Sequence, residues 1–129
     1  MIHRFPLRVY YEDTDFAGIV YYANYLKFIE RGRSEWVREI GVDQAALKMN
    51  DGVVFAVRHI EADYHSPARY DDELVVTTAV DSVSGARWVV RQTVERGGKV
   101  LFRALVTIVA INDVGAPTRL PAAFRHNLN

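Results

Sequence analysis

The chain contains no cysteine, only four prolines, and no net charge, its 16 basic and 16 acidic side chains balancing. Each deficit closes off a class of function. Without thiols there are no disulfides, no thiolate metal sites and no cysteine nucleophile, and a reducing compartment is compatible with the composition. With no excess of either sign, nothing steers the molecule toward nucleic acid or an anionic membrane surface, so an anionic ligand must be bound locally. No apolar run reaches membrane-spanning length, and Met1 to Pro6, which includes His3 and Arg4, has no export-signal core. The expectation is a cytoplasmic protein of one domain spanning 1–129, half of it hydrophobic and long enough to bury its own core.

What is present reads as α+β. Leu7, Val9 and Tyr11 alternate with Arg8 and Tyr10 in the two-residue period of a half-buried strand over Pro6 to Tyr11. Glu12-Asp13-Thr14-Asp15 ends it, and a loop with Ala17-Gly18 leads into a proline-free stretch from Tyr22 to Ile40 with helical periodicity and Gly41 as its stop. At about 100° per residue, Tyr22, Tyr25, Leu26, Phe28, Ile29, Gly32, Trp36, Val37 and Ile40 form a broad apolar arc, suited to a helix lying on a curved sheet. Arg33 falls inside that arc and calls for a carboxylate partner.

A polar turn at Asn50-Asp51-Gly52 precedes four runs rich in Val, Ile, Thr and aromatics: Val53 to Tyr64, Glu73 to Val83, Arg87 to Glu95 and Val100 to Asn112. The breaks between them are short enough for hairpins or tight loops, which predicts antiparallel order. Ala104 to Ile111 is apolar on both faces apart from Thr107, which predicts a place in mid-sheet or under a neighbouring subunit. Ala116 to Asn129 is punctuated by proline and is expected to cap an edge. One helix about 10 Å across cannot shield five long strands, so the exposed sheet predicts oligomerisation.

Chemistry is concentrated near the start: a carboxylate pair at Asp13 and Asp15, a pliable Ala17-Gly18, and a helix beginning near Tyr22. First-turn backbone N–H groups lack intrahelical acceptors and carry partial positive charge, so a carboxylate folded back toward them would flank a space for an ester or thioester carbonyl. Gly18 would let backbone approach a ligand closely. Residue types alone favour capping or turn-forming roles for both aspartates and packing roles for the Tyr10-Tyr11 and Tyr21-Tyr22 pairs. The four histidines show no zinc spacing, the acidic residues no calcium loop, and no serine sits in a Gly-x-Ser-x-Gly elbow.

Val9-Tyr10-Tyr11-Glu12-Asp13-Thr14-Asp15, followed by Ala17-Gly18-Ile19-Val20-Tyr21 and Asn24-Tyr25, resembles the signature of the hydroxybenzoyl-CoA thioesterase branch of the hotdog superfamily. It is most similar to the Tol-Pal-associated acyl-CoA thioesterases. The likeness continues through Phe28 to Arg33, around Val57-Arg58, and from Tyr64 to Asp72. It implies a hotdog fold, a five-stranded antiparallel sheet wrapped around one long helix, with subunits paired or doubled into homotetramers and active sites at the dimer interface. It also implies hydrolysis of an acyl-CoA thioester to free acid and coenzyme A, with Asp15 as nucleophile or general base and the Tyr22 amide as oxyanion donor. Gly18, Ile19, Val20, Asn24, Tyr25, Arg58 and Arg87 are the expected substrate contacts. No metal or other cofactor is implied, coenzyme A being part of the substrate, and an acyl carrier protein is left open as an alternative donor.

Many close relatives have histidine where this sequence has Tyr22, so here the reaction rests on Asp15, backbone donors and a water. Relatives acting on aromatic thioesters carry a basic cluster before the fourth strand, where this chain offers only Arg87; Arg58 and Lys99 are further phosphate candidates. Two other readings compete: a hotdog dehydratase acting on hydroxyacyl thioesters with His65 as base, and a non-catalytic CoA-binding or envelope-complex scaffold.

Overall fold

A computed structural model describes residues 1–126. Five strands, β1 (His3–Arg8), β2 (Val54–Tyr64), β3 (Glu73–Ser84), β4 (Arg87–Arg96) and β5 (Lys99–Ile111), form one antiparallel sheet in the order β1-β3-β4-β5-β2. The sheet wraps the helix α1 (Asn24–Glu39), which is the hotdog arrangement. Burial alternates along β4, where Trp88, Val90, Gln92 and Val94 face α1. On β5 the inward row is Phe102, Ala104, Val106, Ile108 and Ala110, so this apolar strand does lie inside the sheet, between β4 and β2.

Only part of the expected connectivity is found. Gly85 and the Gly97-Gly98 pair take positive φ and close the β3–β4 and β4–β5 hairpins. β2 does not pair with β3. It runs along the far edge against β5, and residues 65–72 cross the sheet end instead of turning back, with the His65 and Ser66 N–H groups both donating to Leu101 O (2.8 and 3.1 Å). β1 stops three residues early because the chain leaves its ladder with β3 after the Val9–Asp72 bond and coils into a 3-10 turn at Tyr11–Asp13. Consequently Tyr11 is exposed, stacked on Tyr70.

The helix buries Tyr25, Phe28, Ile29, Gly32, Trp36 and Val37, but Tyr22 (62% exposed) and Leu26 (42%) face outward, narrowing the expected arc. Gly32 is where the helix touches the sheet: a Cβ built there would lie 2.5 Å from Val76 Cγ1. Among the described residues no carboxylate is bonded to Arg33. Its Nη1 donates to Gln92 Oε1 (2.9 Å), and Gln92, fully buried, uses its amide nitrogen for Ile29 O and Thr78 Oγ1 (both 2.8 Å). A buried amide thus replaces the expected acid, and burial pushes the Arg33 guanidinium below its ordinary range, Glu30 opposing.

Two helices complete the fold. Asn50-Asp51-Gly52 is not a free turn but the end of α2 (Gln44–Asp51), whose N-cap Asp43 accepts from Ala46 N–H (3.1 Å) and whose C-cap Gly52 is left-handed. After β5 the tail covers the edge of that strand past its last β4 partner, Pro117 bridging Ile111 and Thr118 N–H donating to Ala110 O (2.9 Å), and α3 (Ala122–His126) then places Phe124 among Trp36, Phe55 and Trp88, plugging one end of the core; positions 127–129 lie outside the described residues. No helix among the described residues is long and apolar enough to cross a membrane.

Candidate active site

The loop from Tyr10 to Ala23 is built by two aspartates with different tasks. Asp13 closes the 3-10 turn, its Oδ2 accepting from Tyr10 N–H (2.8 Å), which is the turn-forming role its residue type favours. Its carbonyl oxygen then accepts from both Tyr21 N–H and the Asn24 side-chain amide (each 2.9 Å), tying the loop to the start of α1. Between them, Thr14 and Val20 form an antiparallel bridge around a tight turn in which Gly18 adopts φ +81°, a conformation that glycine enters without Cβ strain.

Asp15 sits at the base of that turn. Its Oδ1 accepts from Ala17 N–H (2.9 Å) and, at 3.4 Å, Ile19 N–H, while Oδ2 has no hydrogen-bond partner among the described residues. One carboxylate oxygen therefore fixes the side chain and the other is left uncommitted. The N–H of Tyr22, two residues ahead of the helix proper, likewise has no acceptor among the described residues. Asp15 and Tyr22 both line a cavity of about 380 Å³, together with Ile19, Val20, Tyr21, Tyr25 and residues 64–67.

The wall is aromatic. Tyr25 stacks on Phe102 (centroids 5.0 Å), and Tyr64 packs edge-on against Tyr25 and Phe102. Burial raises the Tyr25 hydroxyl above the usual tyrosine range, partly offset by the Ala68 N–H that it accepts (3.0 Å). Burial also raises Tyr64, helped by Tyr22 and Tyr25, so this phenol keeps the proton it donates to Tyr22 O (2.9 Å).

Of the expected contacts, Asp15, Ile19, Val20, Tyr22 and Tyr25 are brought together at this cavity, with Gly18 in the adjoining turn. Asn24 is adjacent but spends its amide on Asp13 O. Arg58 is exposed at the bulge of the edge strand β2, and Arg87 begins β4 at the end opposite Arg96; neither lines the cavity. The basic residue that the fold sets beside the Asp15 turn is Arg69, bridged to Ile19, which sequence reading did not single out because the contact spans fifty residues. Tyr64 was missed for the same reason. His65 shares the cavity, but among the described residues no carboxylate is bonded to it and no group of three acidic or histidine side chains could hold a metal ion.

Comparison with known proteins agrees with this architecture. The chain is similar to the acyl-CoA thioesterase YbgC of Haemophilus influenzae, 39% identical over 127 residues, a match covering 95% of this chain and 93% of the relative. The crystal structure of a probable thioesterase from Bartonella henselae superposes with a TM-score of 0.90 at 42% identity, covering 94% of this chain and 100% of that one. A mutant 4-hydroxybenzoyl-CoA thioesterase complexed with 4-hydroxybenzoyl-CoA gives 0.92 over 99% of each chain, a likeness of fold alone at 21% identity. With the superfamily profile matching residues 17–102, the chain belongs to the thioesterase superfamily.

Proposed function

We propose that the protein hydrolyses acyl-CoA thioesters, with Asp15 as the catalytic carboxylate and the Tyr22 N–H as oxyanion donor. The observation carrying this reading is one cavity lined by both a carboxylate with an uncommitted oxygen and a turn with an uncommitted backbone donor. As general base, Asp15 takes a proton from water, whose oxygen adds to the thioester carbonyl. The resulting oxyanion is held by Tyr22 N–H, and collapse expels the coenzyme A thiolate, which takes up a proton, leaving the free acid. As nucleophile, the same oxygen would form a mixed anhydride that water then opens. Neither route requires a metal or redox cofactor. A well-placed donor of this kind is worth about 3–4 kcal/mol of barrier.

A second copy completes the site in this reading. Among the described residues β2 has no strand on its outer edge, and Tyr21, Tyr22, Leu26, Val57 and Tyr64 expose apolar surface on or near it. An eleven-residue edge so little protected favours pairing with another chain, as a dimer or dimer of dimers. In such an assembly Arg58 and Arg87 would reach the coenzyme only from another subunit, whereas Arg69 belongs to the same chain as Asp15. The reaction is placed in the cytoplasm, with which the cysteine-free sequence agrees.

The test is Asp15→Asn assayed for thiol release against a panel of short, long and aromatic acyl-CoAs and an acylated carrier protein. A folded variant slowed at least a hundredfold is expected. Turnover at the wild-type rate removes Asp15 from the mechanism; an enoyl product from hydroxyacyl-CoA, or binding without turnover by the native protein, overturns the esterase reading itself.

A further inference from the structure

The start of α1 is irregular in a way that bears on its donors. In a regular helix the carbonyl of residue 22 would accept from the N–H of residue 26, but Leu26 N–H donates instead to Ala23 O (3.1 Å). Tyr22 O is thereby released from the helical ladder. It is taken up by a residue 42 positions away, the hydroxyl of Tyr64 at the end of the edge strand β2 (2.9 Å).

Two peptide groups present the unpaired N–H donors of this turn. The Tyr21–Tyr22 peptide is fixed locally, since its carbonyl, Tyr21 O, accepts from Asn24 N–H (2.8 Å). The Tyr22–Ala23 peptide has no local bond at either end, and the Tyr64 hydroxyl is its sole hydrogen-bond partner among the described residues. Without that bond the peptide is free to rotate, which would carry a carbonyl oxygen toward the space where a negatively charged oxygen develops. A carbonyl there repels the oxyanion that an N–H would hold.

We propose that Tyr64 is a positioning residue for the oxyanion turn, locking the Tyr22–Ala23 peptide with its carbonyl turned away from the reacting carbonyl; this rests on the Asp15–Tyr22 reading of the site. The ring of Tyr64 is held independently of its hydroxyl, by Tyr25, Phe102 and Tyr22 (centroids 5.5, 4.9 and 6.3 Å), so the hydroxyl can be removed without removing the wall. Because Tyr64 ends the edge strand whose outer side is free, a second copy pairing along β2 would stiffen the latch along with the strand.

The experiment is Tyr64→Phe in the full chain, with steady-state kinetics on the best acyl-CoA of the panel and the ¹³C carbonyl resonance of Tyr22. The expected result is kcat lowered about fivefold, KM within twofold, an unchanged melting temperature and an upfield shift of the Tyr22 carbonyl. Unchanged kcat overturns the inference, as does a raised KM at constant kcat, which would make Tyr64 a plain substrate contact. Should the melting temperature fall, the carbonyl resonance still decides: no shift means that no bond to Tyr22 O was lost. Asp15→Asn run in parallel separates the two levels. Retained activity there defeats the underlying reading, whereas an inactive Asp15→Asn beside a Tyr64→Phe of native kcat defeats only the role of Tyr64.

Discussion

Gly32→Ala should destabilise the protein although alanine is the better helix former. The substitution gains about 1 kcal/mol in helix propensity. Against that, the new methyl would sit 2.5 Å from Val76 Cγ1 and 3.0 Å from Val76 Cβ, and Val76 is fully buried on a central strand with a stiff, β-branched side chain. Overpacking costs about 1–3 kcal/mol, and a 2.5 Å contact with so stiff a neighbour falls in the upper part of that range, about 2–3 kcal/mol, so the net loss should be about 1–2 kcal/mol, a fall of roughly 3–8 °C in melting temperature for a chain of this size. Urea and thermal denaturation followed by circular dichroism measure it. Val76→Ala alone should cost stability through its cavity, but in the double variant the two changes should compensate, giving a favourable coupling of about 1 kcal/mol. A Gly32→Ala protein as stable as the parent, or strictly additive behaviour in the cycle, would show that the helix does not rest on the sheet at this point.

Gln92→Leu should cost about 2–4 kcal/mol in urea denaturation, because it strips the Arg33 guanidinium of its side-chain acceptor and removes the amide donor shared by Thr78 Oγ1 and Ile29 O; adding Arg33→Met should recover part of the loss. For Asp72, burial raises the carboxyl, but the Arg69 N–H (2.8 Å) and Arg96 (2.7 Å) outweigh it and hold the group below the usual range. A depressed folded value means that the stabilisation is present above the unfolded value near 4 and is lost as pH falls through the folded one. Asp72→Asn should therefore be less stable than the parent at pH 7 by about 1 kcal/mol, with the difference shrinking as the pH falls below the unfolded value, as read by denaturation across that range. Val57→Lys, a charge on the half-exposed edge strand, should shift the protein toward monomer in light scattering and lower thiol release with it; an unchanged mass would remove β2 from the interface.

Periodicity made the strands and the long helix legible, because burial alternates at 2 and 3.6 residues wherever one face meets the core. It could not tell which strands are neighbours. The eight residues from His65 to Asp72 look like a hairpin connection in length, and only the double use of Leu101 O and the pairing of β2 with β5 show that they cross the sheet end. The short α2 was hidden because Asn50, Asp51 and Gly52 are turn formers and also a helix end, a distinction made by the Asp43 cap seven residues upstream of Asn50. Arg33 invited a carboxylate on grounds of charge. The fold answered with a buried amide, since Gln92 can accept from Arg33 while donating to the backbone behind it.

The candidate site divides along the same line. Asp13 and Asp15 are the same residue type two positions apart, and nothing in their local sequence assigns one to structure and the other to chemistry. Their surroundings differ in space: the Asp13 carboxylate turns back on Tyr10 N–H, so its removal should loosen the 3-10 turn, while its backbone carbonyl gathers two donors from the helix start. Asp15 gives only one oxygen to its own turn, and that turn needs the left-handed Gly18 to bring the Ala17 and Ile19 N–H groups onto the same atom. A carboxylate held by one oxygen is oriented without being neutralised, which is the condition a base or nucleophile must meet. The donor opposite arises from a comparable economy. α1 begins at Asn24 rather than Tyr22, so Tyr21 and Tyr22 lie in a turn whose carbonyls are satisfied by Asn24 N–H and the Tyr64 hydroxyl respectively, while the Tyr22 N–H is left over. Had the helix begun at Tyr22, that carbonyl would have joined the ladder and the edge strand would have had no hold on the turn.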